Sequence, residues 1–322
     1  MSTATFFTPV QSGITLVEAR MRSQADLDAH PDMAAALEQL LQAGGKRVRP
    51  TVVLLAGNML GADRDKLVTL GAAVEMLHTA TLVHDDLIDS SLLRRGMPTL
   101  NSKWSPAATV LTGDFLFARA ASLAAEVNNI ELMKKFAETL ATIVNGELTQ
   151  LFAAHGVISR ENYYSRIYAK TASLFEMCAL SAALIGSQDE SIQAALKVYG
   201  YEVGMAFQIV DDVLDFSGEQ HIVGKPLGSD LLQGLVTLPA IYYAEGHPDD
   251  PLVKLLARGH WQDEAKMMQL VASVRRSDAV QLALGEAAAH IERALEALSI
   301  FPFSVEREAL ADLARYILDR RI

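Results

Sequence analysis

Apolar residues recur every three or four positions through 67–93, 107–125, 132–154, 163–185, 192–216 and 279–298, and no convincing alternating pattern competes with them. Most of the chain is thereby committed to amphipathic helices, each of which must bury its apolar stripe against another element. Gly and Pro punctuate the pattern at Gly44-Gly45, Gly96-Met97-Pro98, Gly186, Gly224-Lys225-Pro226 and Gly246-His247-Pro248. None of these breaks resembles a linker, because no Ser/Gly/Pro-rich or densely charged stretch separates two cores. The expected fold is all-α, with residues 1–322 forming one domain, a large helical bundle around a central cavity. Half of the 322 residues are apolar, which is ample for a core of that size.

Within the helical pattern, Asp85-Asp86-Leu87-Ile88-Asp89 has a near-copy at Asp211-Asp212-Val213-Leu214-Asp215. Residues four apart lie above one another on a helix, so Asp85 and Asp89 share a face, as do Asp211 and Asp215. Like charges at that spacing are destabilising unless a cation neutralises them, and hard cations such as magnesium take oxygen ligands. Magnesium is commonly held by one or two carboxylates plus substrate phosphate oxygens, so two such clusters facing one another across the cavity describe a diphosphate site. The near-copies also hint at a distant internal duplication, although no short tandem repeat is present.

Basic residues stand beside the acidic ones. Arg94-Arg95-Gly96 follows the first cluster and Gly224-Lys225-Pro226-Leu227-Gly228-Ser229-Asp230 the second, while Gly44-Gly45-Lys46-Arg47-Val48-Arg49-Pro50 precedes both. Lysine and arginine near glycine turns are common phosphate ligands, Arg through its planar fork and Lys as a point charge. Any one of these clusters read alone is an exposed loop; their recurrence next to the carboxylates favours phosphate binding.

Composition excludes several other classes. A net charge of −11 without a polybasic tract argues against a nucleic-acid surface. Cys178 is the sole cysteine, which excludes an intrachain disulfide framework and suits a reducing cytoplasm. Residues 1–13 lack the basic start and apolar run of a signal peptide, and no uncharged apolar stretch approaches the roughly 18 residues of a membrane span. A soluble, cytoplasmic protein is expected.

The ordered motifs resemble the trans-prenyltransferase, or polyprenyl diphosphate synthase, family over residues 44–240, with a plausible helical continuation to the end. The resemblance rests on Gly44-Gly45-Lys46-Arg47-Val48-Arg49-Pro50, the first aspartate motif with Arg94-Arg95-Gly96, Gly113-Asp114-Phe115-Leu116, Gly146-Glu147-Leu148-Thr149-Gln150, Lys170-Thr171-Ala172, and Phe207-Gln208-Ile209-Val210 leading into the second aspartate motif. Either aspartate motif alone is moderately specific; all of them in this order are highly so. The resemblance implies an isoprenoid-synthase type of helical fold, a homodimer, and magnesium-dependent condensation of isopentenyl diphosphate with an allylic prenyl diphosphate.

By the same resemblance, Asp85, Asp89 and Asp211 match the main magnesium ligands, with Asp86, Asp212 and Asp215 completing the shells, in part through water, around three ions. Arg94, Lys170 and Lys225 match groups that meet the allylic diphosphate. Lys46, Arg49, His78 and Arg95 match the isopentenyl diphosphate pocket, over which Arg320-Arg321 of the basic tail would close. Lys170 and Thr171, through backbone and hydroxyl oxygens, and Gln208, through its amide oxygen, are similar to the groups that face the allylic cation.

Plainer readings stand beside several of these. His78 lies seven residues before Asp85 on the same face, which suits either a ligand pocket or a satisfied core histidine. His84 is either a partner of the acidic cluster or incidental to it, and Asp114 and Asp230 either orient basic residues or cap helices. Product length is addressed by Ala80-Thr81, where short-chain members of the family carry bulky aromatics, and by Phe136, which resembles the stopper of long-chain members or is ordinary core. The small pair implies a product longer than fifteen carbons.

The family commonly shows Gly-Lys-x-Thr-Leu-Pro after the second motif, whereas this chain reads Gly234-Leu235-Val236-Thr237-Leu238-Pro239 and lacks that lysine. The segment Asn101-Ser102-Lys103-Trp104-Ser105-Pro106 is also unusual. Rival readings are a terpene synthase, against which Lys46, Arg49 and Arg95 count, a non-catalytic subunit of a hetero-oligomeric prenyltransferase, and a magnesium-diphosphate hydrolase.

Overall fold

A computed structural model describes residues 5–24, 31–42, 44–94, 96–152, 156–217 and 227–320, apart from the side chains of residues 5, 31, 33 and 34. Those residues are overwhelmingly helical, as the periodicity requires. Strand structure among them is confined to one antiparallel pair of two-residue strands, Leu93–Arg94 and Met97–Pro98, with Leu93 opposite Pro98. The chain forms two compact units.

The first unit comprises Met1–Glu138, Met177–Lys197 and Phe301–Leu310. Its helices are α1 (Gln11–Arg22), α2 (Pro31–Gln42), α3 (Val48–Met59), α4 (Arg64–Ile88) and α5 (Pro106–Glu126). Helix α4 packs on α1, α3 and α5, which explains why its apolar residues run all round it, from Leu67 and Leu70 to Val74, Met76 and Leu77, all fully buried. It begins where the Asp63 carboxylate accepts the N–H groups of Asp65 and Lys66 at 2.9 and 3.0 Å. Its end lies at Asp89, and Ser90 follows with φ +52°, a left-handed conformation that stops a helix. Helix α5 starts with Pro106 in its first turn, preceded by Ser105, whose hydroxyl accepts the Ala108 N–H.

The unusual segment before α5 has a structural role. Thr99 Oγ1 and Asn101 Nδ2 both donate to the Ser91 carbonyl, at 2.7 and 3.1 Å. Lys103 Nζ donates to Gln39 Oε1 on α2, while Gln39 Nε2 donates to the Pro98 carbonyl. The loop after the first acidic cluster is thus tied down at both ends.

The second unit comprises Thr139–Glu176, Val198–Ile300 and Ala311–Ile322. It takes in the later part of α6 (Ile130–Phe152), then α7 (Arg160–Ile167), a π-helical turn at Tyr168–Ala172, the start of α8 (Ser173–Gly186) and most of α9 (Glu190–Ser217). The short α10 (Ser229–Leu232) leads to α11 (Leu238–Gly246), α12 (Pro251–Ala257), α13 (Glu264–Arg276), α14 (Ala279–Ala297) and the end of α15 (Val305–Leu318). Arg160 on α7 grips Glu245 at 2.8 and 2.5 Å and lies over the Tyr242 ring, and the Tyr242 hydroxyl donates to Glu286 on α14. That network joins α7, α11 and α14.

Among the described residues, two helical runs, α4 and Arg160–Gly186, are long and apolar enough by composition to cross a membrane, but 72% of each apolar window is buried in the protein. They are interior helices.

Candidate active site

The first acidic cluster occupies the last turn of α4, where the helix dipole is negative and carboxylates raise the electrostatic cost further. Asp89 is exposed, Asp85 half-buried, and Asp86 buried. Arg94 Nε donates to Asp86 Oδ1 at 2.8 Å, so the loop arginine neutralises the inward-turned member of the cluster. His84 points elsewhere: Nε2 lies 3.1 Å from the Val110 carbonyl and 3.5 Å from Asp114 Oδ1, and its ring packs on Phe117. His84 joins α4 to α5, and Asp114 is its partner.

In the Lys46–Arg49 segment, Arg47 is tied to buried acid. It adopts φ +46°, donates to Glu18 at 2.9 Å and to the buried Glu75 at 3.0 Å, and anchors the start of α3. Lys46 is exposed and Arg49 half-buried. His78 is half-buried, its carbonyl accepting the Thr81 hydroxyl at 2.7 Å. Ala80 and Phe136 are buried in this unit, and Cys178 is buried there as packing, its thiol pushed up by burial.

The second acidic cluster ends α9, and each aspartate there has a different partner. Asp211 Oδ1 pairs with Arg320 at 2.7 Å. Asp215 fixes the turn after the helix: Oδ1 accepts from Ser229 N and Oγ at 3.1 and 2.9 Å, and Oδ2 from Asp230 N at 3.2 Å. Asp212 is 5% exposed, and its two oxygens accept from Gln208 Nε2 and the Tyr163 hydroxyl, each at 2.8 Å. Burial, aided by the charge of Asp230, pushes the Asp212 carboxyl up to about 7 against the pull of those hydrogen bonds and of Arg166.

Lys170 and Thr171 lie within the π-helical turn, a feature frequent at functional sites. Lys170 Nζ pairs with Glu147 Oε1 at 2.7 Å, which joins two of the sequence motifs. The Thr171 hydroxyl donates to Gln208 Oε1 at 2.6 Å. Arg95, Lys225 and Arg321 lie outside the described residues. Leu235 is half-buried, and Arg166 donates to the carbonyl of the next residue, Val236, at 2.8 Å.

Among the described residues, no three His, Cys, Asp or Glu side chains are grouped closely enough to hold a metal ion by themselves. An all-carboxylate donor set fits a hard divalent cation whose remaining ligands come from phosphate oxygens and water. Arg47, Tyr163 and Glu147 were not singled out from the sequence as structural partners; all three act through residues 23 or more positions away, which no local spacing reveals.

A helical fold carrying two aspartate-rich helix ends, each with basic residues close by, defines a diphosphate-handling enzyme class. The sequence model of the family described as polyprenyl synthetase matches residues 30–274. The chain is 40% identical to an all-trans-nonaprenyl-diphosphate synthase (geranyl-diphosphate specific) of Rhodobacter capsulatus, over 88% of this chain and 87% of that one. It is 38% identical to heptaprenyl diphosphate synthase component 2 of Geobacillus stearothermophilus, over 94% of each chain. The structure superimposes with a TM-score of 0.90 on a polyprenyl synthase from Caulobacter crescentus complexed with calcium and isoprenyl diphosphate, 35% identical, covering 98% of this chain and 97% of that one. The chain therefore belongs to the polyprenyl synthetase family and is a prenyltransferase, with the helical isoprenoid-synthase fold and prenyl chain elongation by condensation with isopentenyl diphosphate.

Proposed function

We propose that the enzyme is magnesium-dependent and builds an all-trans prenyl diphosphate longer than fifteen carbons, with three ions engaged when substrate is bound. The observation that supports the metal part of this reading is in the second acidic helix: Asp211 turns its carboxylate to the positive charge of Arg320, while Asp212 and Asp215 also tie down neighbouring groups. Asp85, Asp89 and Asp211 are the metal ligands in this reading, with Asp86, Asp212 and Asp215 supporting them. When bound, Mg2+ offsets negative charge developing on departing diphosphate.

Arg94, Lys170 and Lys225 bind the allylic diphosphate; Lys46, Arg49, His78 and Arg95 bind that of isopentenyl diphosphate. As the allylic carbon–oxygen bond breaks, the oxygens of Thr171, Gln208 and the Lys170 backbone face the positive carbon and stabilise it. The alkene electrons of isopentenyl diphosphate form the new carbon–carbon bond, and the released diphosphate takes the proton lost from the neighbouring carbon. Water has to be kept out, because it would capture the cation as an alcohol.

Ala80 and Thr81 leave room for a growing chain, and Phe136 limits it; the named products of the heptaprenyl and nonaprenyl relatives support a medium or long product. Each unit draws on three separate stretches of chain, which supports residues 1–322 as one domain. Exposed apolar side chains support a homodimer, Leu111 on α5 in the first unit and Leu148, Leu151 and Phe152 on α6 in the second. A cytoplasmic setting suits the buried free thiol of Cys178.

The relative named as a component favours a second reading, in which this chain works only with a partner subunit. Purified protein is incubated with labelled isopentenyl diphosphate and an allylic diphosphate, with and without Mg2+. Label in a longer diphosphate that requires Mg2+ supports elongation. Alcohol as the product indicates a hydrolase, label-free cyclic or alkene products a terpene synthase, and activity only after adding a cell extract the two-component reading.

A further inference from the structure

Residues 200, 204, 208 and 212 form one row along α9, four positions apart and therefore one above the next. Each meets a different residue of the stretch 163–175. A Cβ at Gly200 would lie 2.5 Å from the Phe175 carbonyl oxygen, and one at Gly204 would lie 2.5 Å from the Ala172 Cα. Only glycine permits that approach, so α9 is pressed directly onto the π-helical turn and the start of α8. The next two residues of the row, Gln208 and Asp212, then make the hydrogen bonds described above.

The resulting chain has one polarity. The Tyr163 hydroxyl donates to Asp212 Oδ2, Asp212 Oδ1 accepts Gln208 Nε2, and Gln208 Oε1 accepts the Thr171 hydroxyl, at 2.8, 2.8 and 2.6 Å. In its ionised form Asp212 only accepts, and in that form it turns the Gln208 NH2 toward itself and the amide oxygen toward Thr171, the arrangement seen. Tyr163 is 1% exposed and its ring lies beneath the Arg166 guanidinium, which leaves its hydroxyl directed at Asp212.

We infer that Tyr163 is a positioning residue for the reaction, acting through Asp212 to fix the orientation of the Gln208 amide and, with it, the Thr171 hydroxyl. This rests on the proposed role of Thr171 and Gln208 as groups facing the allylic cation. If the amide turned over, its NH2 would present positive charge where an oxygen is required. A misorientation of this kind costs transition-state stabilisation while leaving diphosphate binding intact, and so falls on kcat.

The test has two parts, both on the full-length enzyme assayed with labelled isopentenyl diphosphate. Tyr163→Phe keeps the ring and removes the hydroxyl; kcat is expected to fall about tenfold while KM for both substrates stays within about twofold. The second part exchanges donor and acceptor. With Tyr163 still donating to its oxygen, Asp212→Asn alone turns its NH2 onto the Gln208 NH2, and if it instead keeps its oxygen toward Gln208 the Tyr163 donation is lost; Gln208→Glu alone sets two carboxylates together. In the double variant, Asp212→Asn with Gln208→Glu, the introduced amide donates to one oxygen of the introduced carboxylate, whose other oxygen still accepts from Thr171, and the total charge is unchanged.

Asp212→Asn is expected to lose about tenfold or more in kcat and Gln208→Glu about thirtyfold or more, and the double to regain about tenfold over Gln208→Glu. An unchanged kcat in Tyr163→Phe overturns the inference, as does a double variant no better than its singles, because Asp212 would then act through its own charge. Circular dichroism melting curves identify any variant that fails to fold, and for such a variant Tyr163→Phe remains the deciding measurement. A wild-type enzyme that elongates nothing would overturn the elongation reading as well, which the wild-type control separates from failure of the positioning role alone.

Discussion

Arg320 Nη1 lies 2.7 Å from Asp211 Oδ1, and the guanidinium carbon lies 4.5 Å from the centre of the Phe207 ring. A cation from the end of the chain thus neutralises the aspartate proposed as a main metal ligand. The resemblance implies a tail closing over the isopentenyl diphosphate pocket; Arg320 of that tail meets the second acidic helix.

Metal binding at Asp211 competes with that ion pair. A partly exposed pair is worth about 1 kcal/mol, so Arg320→Ala is expected to lower the Mg2+ concentration for half-maximal activity by about threefold to fivefold. Magnesium titrations of activity, and calorimetric titration with a non-reacting diphosphate present, measure it. An unchanged or higher requirement would separate Arg320 from metal binding.

Ala80 is buried on α4, one residue before Thr81. Ala80→Phe is expected to shorten the product, at a cost of about 1–3 kcal/mol in stability from overpacking. Chromatography of the chains made from farnesyl diphosphate reads the length, and an identical distribution would mean that the growing chain runs elsewhere.

Leu235 stands where the family carries a lysine, beside the Val236 carbonyl held by Arg166. Leu235→Lys adds a positive charge and should lower the KM for the allylic substrate by about threefold, an effect of under 1 kcal/mol. A KM that stays level or rises would place the added charge away from substrate.

Glu202 on α9 is buried, and burial opposes its ionisation, but hydrogen bonds from His290 at 2.5 Å and Arg293 at 3.0 Å outweigh this and hold its carboxyl below the ordinary glutamate value. A depressed carboxylate contributes stability above its unfolded pKa, near 4.5, and loses it as pH falls through the folded value. Glu202→Gln should therefore cost about 2 kcal/mol near pH 7. The gap from wild type should narrow below about pH 4.5 in urea-unfolding midpoints. A gap independent of pH would mean that packing, not charge, is lost.

The helical architecture was legible because burial imposes the 3.6-residue period directly on sequence, and the segments at 107–125, 132–154 and 192–216 agree with α5, α6 and α9 within two residues at each end. The first acidic segment, read as 67–93, ends at Asp89, because Ser90 turns left-handed without being a glycine. The π-helical turn inside 163–185 escaped notice since its one-residue register shift is too small to disturb an apolar pattern. At the candidate site, six similar aspartates were visible as a set, but not their individual partners. Tyr163, Arg94, Ser229 and Arg320 reach them from 8 to 109 positions away, and such pairings arise only when the helices pack.

The most direct test of the account is the length of what the enzyme makes. Purified protein with Mg2+, farnesyl diphosphate and labelled isopentenyl diphosphate should yield an all-trans diphosphate of twenty carbons or more, abolished by chelating the metal. Farnesyl diphosphate accumulating as the final product from a shorter primer, or elongation that persists without a divalent ion, would contradict it.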